Sequence, residues 1–124
     1  MVVFDTNAII YYLKKEPSVV SALNRVLFSF QYRPIIASVT ELELLSSSLL
    51  TSQDIAEIDM LLASLSIVPL HSQIARIGAK LRREYRLKTP DSIVAATALF
   101  TNSTLLTRNI KDFKRISGLP VQAV

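Results

Sequence analysis

The sequence predicts a single α/β domain over residues 1–124, with a short, mostly parallel sheet of four to five strands and helices on both of its faces. Three observations carry this. Short apolar runs alternate with segments whose apolar residues recur at three- and four-residue steps, the signature of strand–helix units. The length, 124 residues, suits one hydrophobic core and leaves no room for two. Half of the residues are hydrophobic and 19% are charged, the balance of a folded chain and not of a disordered one.

The elements follow in order. Val2-Val3-Phe4 reads as a buried strand that runs into a polar turn, Asp5-Thr6-Asn7, and then into a short helix ending near Leu13. Lys14 to Ser18 forms a break, and Pro17 suits the first turn of the next helix. Val19, Val20, Leu23, Val26, Leu27 and Phe30 give that helix one apolar face, and Tyr32-Arg33-Pro34 ends it. Ile35-Ile36-Ala37 is the second strand. Ser38-Val39-Thr40-Glu41 opens a helix through about Leu50, with serines loosening its end. Ile55, Ile58, Leu61, Leu62 and Leu65 mark another amphipathic helix. Ser66 to Leu70 reads as the third strand, and Ser72 to about Tyr85 as a helix with Ile74, Ile77, Gly78 and Leu81 inward. Thr89-Pro90-Asp91 starts a helix through about Phe100. Thr104 to Thr107 is the fourth strand, and Val121 to Val124 a short edge strand.

Composition removes several kinds of chemistry. There is no cysteine, so disulfides, thiol nucleophiles and cysteine-based zinc sites are excluded. One histidine, His71, cannot build a histidine-rich metal site, and its position before a helix suits a turn or cap. With glycine only at positions 78 and 118, neither G-x-G-x-x-G nor a G-x-x-x-x-G-K-[ST] phosphate loop exists. No uncharged run approaches the ~20 apolar residues needed to cross a bilayer. A strand expected from residue 2 leaves no room for a basic leader, so the expected location is cytoplasmic. The net charge of +4 leans toward polyanionic partners, though a solvated surface accounts for it almost as well.

Four acids fall at matching places. Asp5 follows strand one, Glu41 lies in the first turn of the helix after strand two, and Asp112 follows strand four. Ligand sites of open α/β sheets form outside the carboxyl ends of the strands, where these three collect. Asp91 opens a helix entered from another helix, and spacing alone does not bring it there. Each acid has a local explanation. Asp5 can cap a helix, Ser38-x-x-Glu41 is a capping box, Asp91 can face a helix dipole, and Asp112 sits among Arg108, Lys111, Lys114 and Arg115. Two carboxylates ~4 Å apart, however, repel by about 4 kcal/mol at an effective dielectric near 20. That exceeds a cap or dipole contribution. A converging set would need protonation or a cation, and hard oxygen donors without Cys or His select Mg²⁺ or Mn²⁺.

The stretches Asp5-Thr6-Asn7, Ser38-Val39-Thr40-Glu41-Leu42, Thr89-Pro90-Asp91 through Ala98, and Leu105-Leu106-Thr107-Arg108-Asn109 with Asp112-Phe113 together resemble the PIN domain family. They look closest to the VapC-type toxin ribonucleases of toxin–antitoxin pairs, in order and over nearly the whole chain. The resemblance implies a three-layer α/β/α fold and an endoribonuclease dependent on Mg²⁺ or Mn²⁺. It makes Asp5, Glu41 and Asp91 the acidic core that holds the metal, with Thr6, Asn7 and Thr107 orienting carboxylates or water. For the fourth acidic position, Asn109 stands where many relatives carry Asp and Asp112 follows three residues later. Asp112 is assigned the role and Asn109 kept as a polar helper. A cognate antitoxin and a homodimer are also implied.

Arg76, Lys80 and Arg83 form one stripe on a helix, which serves either as an RNA backbone track or as an ordinary solvated face. Among the cations, Arg83, Arg108 and Lys111 are the candidates for RNA contact. Tyr11 and Tyr12 are the better candidates for base stacking, against a packing role that also suits Phe28 and Phe30. Two rivals remain. One is the same fold with an impaired site, binding RNA or protein without cutting. The other is an aspartyl-nucleophile phosphatase, disfavoured because Asn7 stands where a second Asp is needed.

Overall fold

The computed structural model describes residues 1–29 and 31–124. The elements are β1 (Val2–Phe4), α1 (Thr6–Leu13), α2 (Pro17–Leu27), β2 (Ile35–Ala37), α3 (Ser38–Leu44), α4 (Ser52–Ala63), β3 (Ser66–Val68), α5 (Ser72–Tyr85), α6 (Thr89–Phe100), β4 (Thr104–Thr107), α7 (Ile110–Phe113) and β5 (Val121–Ala123). The five strands pair in the order β3-β2-β1-β4-β5, every pair parallel.

Side chains of a strand point alternately to opposite faces, and here both faces are covered. Val3, Ile35, Ala37 and Leu105 face a core completed by Ile74 and Leu81 of α5, by α6 from Ile93 to Ala98, and by Phe113. Phe4, Ile36 and Leu106 face the opposite core, with Ala8 and Ile9 of α1, Leu23 of α2, Leu44 of α3 and three residues of α4. Double coverage explains why these strands read as unbroken apolar runs. The fold is the expected three-layer α/β/α sandwich.

Several local expectations are corrected. The helix after β2 stops at Leu44 and not near Leu50. Beyond it Leu45 and Leu49 are exposed, with no core to face. The serines there also compete for backbone groups: Ser46 donates to the Leu42 carbonyl, and Ser47 Oγ accepts from Leu49 N at 3.2 Å. The Ser38–Glu41 capping box does not form. Strand β2 runs straight into α3, so Ala37 is the cap, and Ser38 Oγ instead accepts from Leu70 N at 3.1 Å. A capping box does exist at α4, where Thr51 and Asp54 exchange bonds of 3.0 and 2.9 Å. Strand β3 ends at Val68, two residues early. Helix α6 starts at Thr89 as expected, with Lys88 at its cap position. Helix α7 has four residues and no sequence signal of its own. His71 caps α5, its Nδ1 accepting from Ile74 N at 3.3 Å. The expectation for Phe30 lies outside the described residues.

Candidate active site

The parallel ladder delivers Asp5 to the carboxyl edge of the sheet. Its backbone N–H still reaches the Leu106 carbonyl at 3.3 Å, one step beyond the β1–β4 register. Its side chain does two jobs. One oxygen accepts from Ala8 N at 2.8 Å and caps α1. The other accepts from the Thr107 hydroxyl at the end of β4. Thr107 Oγ in turn accepts from Asn109 N at 2.9 Å. Cap and site are therefore one residue, with 6% of its surface left to solvent.

Asp91 meets Asp5 because α5 and α6 form a hairpin. His71 at the start of α5 stacks edge-on against Phe100 at the end of α6, with ring centroids 4.7 Å apart. The other end of the hairpin, Arg86 to Lys88, brings the first turn of α6 to the strand ends. A recess of about 420 Å³ there is lined by Asp5, Glu43, Asp91 and Asp112. Arg86, Lys88 and Arg115 also line it. Asn7 and Asn109 complete its polar wall, and a smaller recess beside it shares Asp5, Asn7, Glu43 and Asp91.

Glu41 does not line either recess; Glu43 lines both. The reason is helical phase. Residues three apart share a face, whereas residues two apart do not. Thr40 is fully buried, and Glu43 lies on its side of α3. Thr6 fastens that side, its hydroxyl 2.7 Å from Glu43 Oε1 and 2.9 Å from Thr40 Oγ1. The TELEL stretch offers two glutamates; Glu43 is the more exposed of them, and what distinguishes it is its place on the recess and its bond to Thr6.

Asp112 is held by Asn109, whose Nδ2 donates to Oδ2 at 2.8 Å. Arg115, which sequence reasoning left in a general basic border, donates through Nε to the Asp112 carbonyl at 3.2 Å and through Nη2 to the Tyr85 carbonyl. Its guanidinium is thereby held against the recess. Arg108 is elsewhere occupied: it pairs with Glu16 at 3.4 Å, donates to Ser18 Oγ at 3.0 Å and lies 4.6 Å above the Tyr11 ring. Lys111 is exposed and lines neither recess. Tyr12 donates to Asn24 at 3.3 Å and packs into the core beside α1.

Electrostatics register the convergence. Burial raises the Asp5 carboxyl above its ordinary value, and Glu43 adds to the rise, while the bonds from Thr107 and Ala8 oppose it. Asp91 is also raised, by burial first and then by Asp5, Asp112 and Glu43, with Lys88 in opposition. Among the described residues no three of these groups stand close enough to chelate one ion directly. The donor set is oxygen alone, as hard divalent cations require.

Residues 2–119 match the PIN domain. The chain belongs to the PIN domain family. It is 32% identical to Ribonuclease VapC2 of Rickettsia felis over 93% of this chain and 91% of that protein. Its fold superimposes on the crystal structure of VapBC2 from R. felis bound to a DNA fragment from their promoter, with a TM-score of 0.86 and 28% identity over 100% of this chain and 99% of that one. A toxin–antitoxin complex from Klebsiella pneumoniae matches with a TM-score of 0.81 and 30% identity, covering 96% and 95% of the two chains. The three-layer fold and the family expected from the sequence are thus established for this PIN domain.

Proposed function

We propose that this PIN domain is an endoribonuclease that hydrolyses RNA phosphodiester bonds with Mg²⁺ or Mn²⁺, and that it is the toxin of a toxin–antitoxin pair. The observation that carries the chemistry is one recess lined by four carboxylates and three cations. An acidic wall alone would repel a nucleic acid, and a basic wall alone would bind without cutting.

Among Asp5, Glu43, Asp91 and Asp112, one or two carboxylates would hold the metal directly and the others would meet it through its waters. When bound, such an ion supplies an activated water and neutralises charge on the phosphate. The chain's own residues do the rest. Thr107 and the Ala8 N–H fix both oxygens of Asp5, Thr6 fixes Glu43, and Asn109 fixes Asp112, so the carboxylates need not reorganise on binding. Arg86, Lys88 and Arg115 receive the phosphate oxygens that the metal does not take. Asn7, on both recesses, is placed to orient water or substrate.

The relatives named as VapC ribonucleases and the neighbours solved as toxin–antitoxin complexes support both halves of this reading. An antitoxin and a second copy of the chain are the proposed protein partners. Exposed Phe28, Leu42, Leu49 and Met60, each at least 64% accessible, offer apolar surface for them. No helix is long and apolar enough to cross a membrane among the described residues; a cytoplasmic location is part of the proposal.

Purified protein, freed of any partner, is incubated with structured and single-stranded RNA in Mg²⁺, Mn²⁺ or EDTA, beside Asp5→Asn. Cutting that needs metal and vanishes in the variant is the expected result. Folded protein that binds RNA or a partner yet never cuts would favour the non-catalytic binding module.

A further inference from the structure

A larger recess, about 680 Å³, lies between α5 and α6. Its apolar floor is Gly78, Leu87 and Ile93, all buried; Leu70 and Ala75, which also line it, are exposed, as are Arg82, Arg83 and Arg86 at its rim. This volume is in the range of sites that enclose small ligands. The recess is not isolated from the acids: Arg86 and Leu87 line both it and the acidic recess.

The rim cations carry no partners that would neutralise them. Among the described residues the ion pairs are Lys80–Glu84 and Arg108–Glu16, and neither involves Arg82, Arg83 or Arg86. Arg82 spends one donor on the Leu87 carbonyl at 3.1 Å, which ties the α5–α6 turn and leaves its other nitrogens at the rim. Arg86 closes α5 with φ 57°, the left-handed region where glycine or asparagine is favoured. On the opposite flank of the acids Arg108 is already bound to Glu16.

We propose that the α5–α6 recess is a nucleotide subsite: it seats the unpaired nucleotide next to the phosphate that is cut, with the base on the apolar floor and its phosphate against Arg83 and Arg86. This rests on the ribonuclease reading above and adds to it a path for the strand and a requirement that the neighbouring nucleotide be unstacked. Single-stranded RNA is recognised in this way, by cationic tracks beside surfaces that accept splayed bases. An acidic protein segment would also meet the arginines, but it would have no reason to continue into the acidic recess that shares Arg86.

The test measures RNA binding and cutting side by side. Fluorescence anisotropy of a labelled short single-stranded RNA is read in the non-cutting Asp91→Asn protein with Mg²⁺, and cleavage kinetics in the otherwise unaltered chain. Arg83→Gln/Arg86→Gln removes the rim charge, Ala79→Phe fills the recess from an exposed position, and Lys14→Gln/Arg25→Gln is a charge-matched control elsewhere. The first two are expected to weaken binding at least tenfold and raise KM, with Ala79→Phe also shifting the preferred cleavage positions. Losing the contact to that one phosphate should lower the slope of log K against log salt by about 0.7. The control should stay within twofold. If the parent cuts RNA and either recess variant matches it, the subsite is overturned while the ribonuclease reading stands. If the parent neither binds nor cuts RNA, both fall. Loss of antitoxin capture with RNA affinity intact in Arg83→Gln/Arg86→Gln would reassign the recess to a protein partner and overturn the proposal.

Discussion

Thr107 at the end of β4 gives its hydroxyl proton to Asp5 at the end of β1, across 102 positions of sequence. Adjacent parallel strands make this possible, and neither residue is exposed enough to let water replace the bond. Thr107→Val keeps the shape and deletes the donor. It also strands the Asn109 N–H, which Thr107 Oγ now satisfies. We expect a loss of about 1–3 kcal/mol in urea unfolding, the usual cost of a buried polar group left unsatisfied. The bond holds the Asp5 carboxyl down against burial, so its removal raises that carboxyl further. The deficit should therefore grow from acid to neutral pH. A deficit independent of pH would dissociate Thr107 from the Asp5 charge.

Asp5 and Asp91 are both raised above their ordinary values, so without metal the folded state binds protons more tightly than the unfolded chain. Stability then falls as pH climbs through the window between the unfolded value, 3.8, and the raised folded ones, and the loss is complete above them. Added Mg²⁺ should restore stability more at pH 8 than at pH 5, because it competes with those protons. Asp91→Asn, which removes one charge from the cluster, should raise the Tm of the metal-free protein by roughly 3–6 °C for about 1 kcal/mol. The same variant should lose most of the Mg²⁺ response. Thermal melts at the two pH values, with Mg²⁺ and with EDTA, read both effects. A drop in the metal-free Tm would mean the carboxylates do not strain the fold.

Glu43→Gln and Glu41→Gln separate the two glutamates of α3. Glu43 lines the acidic recess and is fastened by Thr6. We expect Glu43→Gln to reduce RNA cleavage at least about 100-fold, since partners one step removed from a metal already cost 10–100-fold. Glu41→Gln should stay within about threefold. Thr6→Val should fall between them, and Thr6→Ser, which restores the hydroxyl, should recover most of the activity. Equal losses for the two glutamates would show that helical phase does not decide which one acts.

Much of this was legible in the sequence, and the gaps have physical causes. Strand–helix alternation gave the layers because a strand buried on both faces has no polar residues to interrupt it, as Ile35-Ile36-Ala37 illustrates. Asp5 could be singled out because it precedes a helix at a strand edge and Asp112 because it follows the fourth strand, whereas Asp91 was joined to them by the resemblance and not by spacing. Glu43 was missed because its neighbour Glu41 fits a capping box that the direct β2–α3 junction forbids. Arg115 was obscured because two backbone carbonyls, 112 and 85, hold it, and side chains of the sequence carry no trace of such bonds. Arg108, chosen for its proximity to Thr107, turns instead to Glu16, which a linear reading places far away.

Asn109 decides how Asp112 is presented. Its amide donates to Asp112 Oδ2 at 2.8 Å, so it orients the carboxylate without adding charge. Asn109→Ala should leave the fold within about 1 kcal/mol, the net worth of one partly exposed hydrogen bond, and cut the rate about tenfold at subsaturating Mg²⁺. Higher Mg²⁺ should recover much of the loss, because a disordered ligand still binds, only less well. Asn109→Asp is the sharper variant. It replaces a donor with a second acceptor at hydrogen-bond distance from Asp112, and like charges at ~4 Å repel by about 4 kcal/mol at an effective dielectric near 20. Water and rearrangement will reduce this, so a metal-free destabilisation of about 1–2 kcal/mol is expected, shrinking at low pH as one proton is shared between the two. Mg²⁺ should reverse it. Urea unfolding at two pH values, with and without Mg²⁺, gives all four numbers. If Asn109→Asp is as stable as the parent without metal, then Asp112 does not face position 109 in solution, and its place in the acidic recess fails with it.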